Sequence, residues 1–315
     1  MIRQMDRILG GLWGLLIGDA LGVPYEFNDP ADLPPKDKIE YNPPDGFVRS
    51  HRGVLPGTWS DDGAQALCLL DSLLECKTMD IHNFASKLLN WYENGLWAVD
   101  NKVFDVGNQT AASLREFKNG MPPNKSGFII PDGKGNGSLM RVLPLALWHK
   151  GDNEELVYFA HLQSLVTHGH EINQVCCALH CLWAKGVMND LPVDEAYKEA
   201  VKELREIYRK DSQYYNELEC CLRPDDEPIG KGGGYLVDSF RSVRMVLNNE
   251  DSYEAVVKAA VSLGHDTDTT AAIAGGLAGI VYGFDSIPGR WVSALRGREE
   301  LHTLINRLLL HHGVI

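Results

Sequence analysis

Apolar residues recur at intervals of three and four along this chain, as in Leu67, Leu70, Leu73 and Leu74 and again in Val256, Val257, Ala260 and Leu263, while the two-residue alternation of a half-buried strand is nearly absent. A 3.6-residue period turns one stripe of side chains toward a neighbour only when the segment is helical, so such a chain is confined to helix-on-helix packing. The same pattern predicts helices at His82 to Glu93, Gln109 to Phe117, Ser138 to Trp148, Glu154 to Val166, Glu171 to Val187, Val193 to Arg209, Leu236 to Leu247, Thr269 to Tyr282 and Glu299 to His311. That number of helices predicts an all-α, single-domain helical bundle. With 315 residues, 44% of them hydrophobic, the chain can bury a large core, and no linker, repeat or low-complexity tract divides residues 1–315.

The opening stretch MIRQMDRILGGLWGLLIGDALG has the charged start and apolar run of a secretory leader, but Asp19 follows closely and no clean small-residue cleavage site precedes it. A buried first helix is expected instead, and no other run is long enough to span a membrane. Seven cysteines, most of them within apolar helical patterns, suit reduced core thiols and a cytoplasmic location. A net charge of -13 without a basic stripe argues against nucleic acid as a partner. Neither nucleic acid nor membrane is expected to bind, and a monomer is expected.

Three Pro- or Gly-rich segments interrupt the helices, at Asn28 to Gly57, Asn119 to Gly137 and Arg223 to Gly234. Long loops in compact proteins are usually functional or disordered. Two helix starts carry more oxygen than capping requires: GTWSDDGAQALCLL places Ser60, Asp61 and Asp62 before one apolar run, and LGHDTDTTAAIAGG places Asp266, Asp268 and Thr269 before another. One Asp or Thr suffices to cap a helix. Either knot alone reads equally well as a solvated cap. Together their four carboxylates match the charge of two divalent cations, Mg²⁺ or Mn²⁺, because an all-oxygen shell selects hard ions over zinc.

Rival metal motifs fail on residue identity. From Asp266, the sixth EF-hand position is Ala271 and the twelfth Leu277, where Gly and Glu are required. No HExxH or GxSxG occurs. PDGKGNGSLMRVLPLAL brings Gly133, Gly135 and Gly137 to a helix start, where backbone N–H groups can approach an anion. GKGGGYLVDSF makes a second glycine loop, followed by Tyr235, whose ring either stacks on a base or packs in the core. His168 lies past a helix end and can equally complement the helix dipole. Glu26 sits on a loop after the first helix, and Asp19 can simply satisfy backbone donors there.

In order, GDALGVPYEF, GTWSDDGAQ, FDVGNQT, GNGSLMRVLPLAL, THGHE, GGGYLVDSF and GHDTDTTAAIAGGLAG resemble the ADP-ribosylglycohydrolase family, which includes dinitrogenase reductase activating glycohydrolases and ADP-ribosyl-arginine and ADP-ribosyl-serine hydrolases. The resemblance implies an all-α fold and two Mg²⁺ or Mn²⁺ ions held by Ser60, Asp61, Asp62, Asp266, Asp268 and Thr269. It also implies Glu26 as the acidic residue at the scissile bond and Asp105 as a second active-site carboxylate. Gly135, Asn136, Gly137, Ser138, His168, Gly234 and Tyr235 would line the ADP-ribose cleft. The expected reaction is hydrolysis of the glycosidic bond to the distal ribose, with ADP-ribosyl-arginine on protein as the leading substrate and a small conjugate such as O-acetyl-ADP-ribose as the alternative. A non-catalytic ADP-ribose-binding module is opposed by intact Glu26 and both knots, and a phosphohydrolase would release AMP instead of ADP-ribose. Many family members carry Thr at the positions of Ser60 and Gly63 and Gly at that of His265, so the acceptor end of the site is where this chain departs.

Overall fold

The computed structural model describes residues 2–130 and 132–314, and Met1, Pro131 and Ile315, which fall at the chain ends and in the second long loop, lie outside the described residues. Its helices are α1 (Gln4–Gly22), α2 (Asp61–Cys76), α3 (Ile81–Asn94), α4 (Asn108–Lys118), α5 (Pro123–Ser126), α6 (Leu143–Trp148), α7 (Asn153–Leu165), α8 (Glu171–Met188), α9 (Val193–Ile207), α10 (Gln213–Asn216), α11 (Leu236–Asn249), α12 (Tyr253–Val261), α13 (Thr267–Tyr282), α14 (Gly289–Ala294) and α15 (Arg298–His312). Among the described residues no strand forms, and the expected all-α class is what the chain adopts.

At the centre α1 and α13 run antiparallel with their backbones in contact. A Cβ placed on Gly10 would lie 2.0 Å from the Gly279 carbonyl oxygen, one on Gly14 2.3 Å from that of Gly275, and one on Gly18 2.1 Å from that of Ala271. Only glycine at every fourth position leaves room for that approach. The first helix is long and apolar enough to cross a membrane by length and composition, yet 94% of that window is buried. It is a core element, as the interrupting Asp19 suggested.

Two local expectations differ. The predicted helix from Ser138 begins only at Leu143, because Pro144 supplies no N–H and suits a first turn better than an interior. Residues that carried no clear periodicity form α10 and the π-helical turn Glu217–Leu222. The loops at 28–57 and 223–234 remain irregular apart from short turns, and both come back onto the end of the bundle where α1 meets α13.

Candidate active site

The antiparallel register of α1 and α13 sets the site. A Cβ on Gly22 would fall 2.4 Å from the Asp268 backbone nitrogen, so the last turn of α1 abuts the first turn of α13. Thr267 Oγ1 donates to the Gly22 carbonyl at 2.8 Å. A 3-10 turn, Val23–Tyr25, then delivers Glu26 to a point where its carboxylate and those of Asp266 and Asp268 each offer an oxygen within 4.8 Å of the others. Asp268 Oδ1 accepts the Thr269 N–H at 2.7 Å, whereas its Oδ2 is buried without a partner.

Asp19 brings the other knot alongside. Its buried carboxylate accepts the Ser60 N–H at 2.8 Å and the Gly63 N–H at 2.7 Å, capping α2 from a different helix. That is the backbone-satisfying role expected of it, and it frees the α2 residues for other work. Ser60 Oγ accepts the Asp62 N–H at 3.3 Å, Asp61 Oδ2 accepts from Gln65 Nε2 at 2.9 Å, and Thr269 Oγ1 donates across to Asp62 Oδ1 at 3.3 Å. Asp62 Oδ2, like Asp268 Oδ2, is buried and unpaired.

Neither knot is a solvated cap. Asp61, Asp62 and Asp268 are buried, and the Asp266 side chain makes no capping hydrogen bond. Burial first, and the neighbouring carboxylates second, push Glu26, Asp61, Asp62 and Asp268 well above the ordinary carboxylate range, and burial raises Asp105. Buried acids with orphaned oxygens and no cationic partner in contact are what hard divalent cations complete. Glu26, Asp266 and Asp268 offer oxygens close enough to share one ion, and Asp61, Asp62 and Thr269 face the same cavity.

The knots form the floor of a cavity of about 610 Å³, within the roughly 300–1,000 Å³ usual for small-molecule sites. Glu26, Asp61, Asp62, Asp105, Asp266 and Thr269 line it together with Gly135, Asn136, Gly137, His168 and Gly234. Its far wall is two glycine loops zipped to one another: the Asn136 N–H donates to the Gly234 carbonyl at 3.2 Å and the Leu236 N–H to that of Lys134 at 3.0 Å. Asn136 Nδ2 also donates to Asp266 Oδ2 at 2.8 Å, tying this wall to the floor. His168 is buried with Nδ1 2.8 Å from Thr167 Oγ1, and burial lowers its pKa to about 3. It is therefore a neutral wall residue and not a charged partner of the helix dipole.

Four expected residues are not in the cavity lining. Ser60 and Asp268 stand behind it in the knots, and Tyr235 is half-exposed outside it, touching the wall through its backbone pairing with Gly135. Ser138 also lies outside the lining: its side chain is fully buried beneath the loop, where its Oγ accepts from Ser164 Oγ at 3.0 Å and lies 3.5 Å from Cys177 Sγ. Without the predicted helix start at that point, the residue turns inward.

Three residues went unread in the sequence. His51 arrives from the 28–57 loop with Nε2 2.5 Å from Glu26 Oε2 and 3.7 Å from Asp105 Oδ1. Phe27 is 72% exposed at the cavity edge, in a left-handed backbone that exchanges hydrogen bonds with the His265 segment. Arg141 is wholly buried and joins Gln65, Gln163 and Thr167, so that Asp61, Gln65, Arg141, Thr167 and His168 make one continuous chain of hydrogen bonds. In the sequence only the repeated acid-rich helix starts had a local signature; these three had none.

Comparison with known proteins agrees with this arrangement. A family model described as ADP-ribosylglycohydrolase matches residues 1–314. The ADP-ribosylarginine hydrolase Tri1 of Serratia proteamaculans is 28% identical over 97% of this chain and 80% of its own. The ADP-ribosyl-[dinitrogen reductase] glycohydrolase of Rhodospirillum rubrum is 27% identical over 98% of this chain and 97% of its own. A solved structure titled ADP-ribosylglycohydrolase-related protein complex superposes with a TM-score of 0.80 at 28% identity, covering 98% of both chains. Because the family match extends from end to end over a fold that brings the two carboxylate knots and the glycine loops around one cavity, this chain belongs to the ADP-ribosylglycohydrolase family and is one of its enzymes.

Proposed function

We propose that the chain hydrolyses the bond between the distal ribose of ADP-ribose and an arginine guanidine on protein, using two divalent cations, with Mg²⁺ favoured over Mn²⁺. The observation that carries this reading is the convergence of Glu26, both carboxylate knots and the paired glycine loops on one cavity. The name of the Serratia relative supports arginine as the acceptor. The exposed Phe27 ring at the edge, close to the carboxylates of Glu26 and Asp105, also suits a planar cation.

In the reaction the anomeric carbon–nitrogen bond breaks, water adds its oxygen to that carbon, and the guanidine leaves with a proton. Glu26, when ionised, takes the proton from the attacking water on its carboxylate, and Asp105 is the second carboxylate facing the same space. The glycine loops bind the diphosphate-bearing part through backbone N–H groups, and His168 walls off water there as a neutral ring. When bound by Ser60, Asp61, Asp62, Asp266, Asp268 and Thr269, the cations supply Lewis-acid charge that orients ribose hydroxyls and acidifies water.

Peptides ADP-ribosylated on arginine, serine or cysteine separate the acceptors. Free ADP-ribose is expected from the arginine peptide, with loss of release after chelator treatment. Release from the serine peptide or from O-acetyl-ADP-ribose alone would reassign the acceptor, and AMP as product would reject glycoside hydrolysis.

A further inference from the structure

We propose that His51 is a positioning residue, which holds the Glu26 carboxylate in the cleft by donating its Nε2–H to Oε2; the inference rests on the hydrolytic reading of the site. The two atoms are 2.5 Å apart, and the Glu26 side chain is 3% exposed. An ionised carboxylate only accepts hydrogen bonds, so in the state that takes a proton the bridging hydrogen belongs to the ring. Among the described residues His51 is the one side chain that donates to that carboxylate.

The need for such a donor follows from the surroundings. Glu26 shares one cluster with Asp266 and Asp268 and another with His51 and Asp105, and the charges of Asp105 and Asp266 act against its ionised form. Among the described residues no Lys or Arg side chain contacts the Glu26 carboxylate, and a carboxylate with unrestrained side-chain torsions would not stay aimed at a reacting water. A neutral imidazole fixes one oxygen and leaves the other free. The ring is itself held, with centroids of Phe27 at 5.7 Å and Phe104 at 5.2 Å on its flanks.

The backbone is arranged for this delivery. His51 has φ of +47°, a left-handed conformation that a residue with a Cβ keeps only where its surroundings over-determine it. Its neighbour Ser50 donates through its N–H to the Pro24 carbonyl at 2.9 Å and through Oγ to the Glu26 carbonyl at 2.5 Å. The loop is thus docked on the same turn that carries Glu26. His51 also reaches to 3.7 Å from Asp105, so one ring spans both cleft carboxylates.

The test compares His51→Ala, His51→Gln, Glu26→Gln and the double variant Glu26→Gln/His51→Ala in the metal-loaded full chain, on an arginine-ADP-ribosylated peptide. Misplacing a reacting group by about 1 Å can cost up to about 10²-fold. His51→Ala is expected to lose that much in kcat, with KM within about twofold and metal content unchanged. His51→Gln, which retains an Nε2–H donor, should recover most of it, and His51→Ala should cost nothing further in the Glu26→Gln background. A readout free of turnover is the ¹⁵N-resolved imidazole proton of His51, expected on Nε2 and displaced in Glu26→Ala. Full kcat in His51→Ala, independent losses in the double variant, or an Nε2 proton indifferent to Glu26→Ala would each overturn the proposal. Failure of the wild-type chain to release ADP-ribose would instead reject the hydrolytic reading, while the imidazole proton still decides whether His51 holds Glu26.

Discussion

Glu26 stands where two groups of oxygen and nitrogen atoms meet, one with Asp266 and Asp268 and the other with His51 and Asp105. The proton-acceptor role proposed for it and any work as a metal ligand are separable by one substitution. Glu26→Gln keeps shape and removes the base, so turnover should fall by about 10²–10⁴ with little change in substrate affinity. Metal content measured by elemental analysis should stay near that of the wild type, whereas Asp268→Asn, which alters a buried oxygen with no other partner, should empty a site. A Glu26→Gln protein that loses metal like Asp268→Asn would make Glu26 a ligand, and an unimpaired one would leave Asp105 for proton transfer. The acidic knots were legible in sequence because each is a local surplus of carboxylates over capping need. The inward turn of the Ser138 side chain was not legible, because a glycine-rich stretch followed by apolar residues looks the same whether its serine faces a cavity or the core. His51 was not legible at all: it acts across 25 residues of irregular chain, and nothing periodic marks which loop residue will return to the site.

At the scale of elements, the site depends on how closely two helices approach. Glycine weakens an isolated helix by about 1 kcal/mol relative to alanine, so propensity alone makes Gly18→Ala stabilising. Packing reverses that sign, because the new Cβ would lie 2.1 Å from a carbonyl oxygen of α13 that belongs to helix backbone and cannot rotate away. Overpacking of this kind costs about 1–3 kcal/mol. Urea denaturation should show a lower midpoint for Gly18→Ala at unchanged slope, and metal affinity should fall with it as the α13 start is pushed from Glu26. Gly289→Ala, at a first-turn position with nothing within 4 Å, is the control and should be neutral or slightly stabilising. A Gly18→Ala protein as stable as the control would mean that α1 and α13 do not meet backbone to backbone. The helices themselves were readable from spacing, but this contact was not. Both helices are apolar on every side, so periodicity names no face, and the small residues of AAIAGGLAG show their purpose only beside those of GGLWGLLIG.

For the whole molecule, buried acids and buried histidines set opposite slopes of stability against pH. Burial raises Asp19 to about 7 and holds Glu26, Asp61, Asp62 and Asp268 well above the ordinary range. The folded chain then keeps protons that unfolded carboxylates lose near pH 4, so this stabilisation is full below about pH 4 and is lost as pH rises through the folded values. Burial also lowers His161 to about 4 and His168 and His180 to about 3. Unfolded histidines take protons below about pH 6.5 that the folded ones refuse, so stability falls as pH drops below that point. Above about pH 6.5 the histidines no longer contribute, while Asp19, raised to about 7, still holds part of a proton there, and a full proton held is worth about 1.4 kcal/mol per pH unit. The metal-free protein should therefore melt at progressively lower temperature from pH 6.5 to 8. Divalent cations compete with those same protons, so binding releases them and strengthens with pH. The rise in melting temperature on adding Mg²⁺ or Mn²⁺ should consequently be larger at pH 8 than at pH 5.5, and calorimetry in buffers of different ionisation enthalpy should register proton release. A metal-induced shift that shrinks as pH rises, or binding without proton release, would mean that the ions do not sit among these carboxylates.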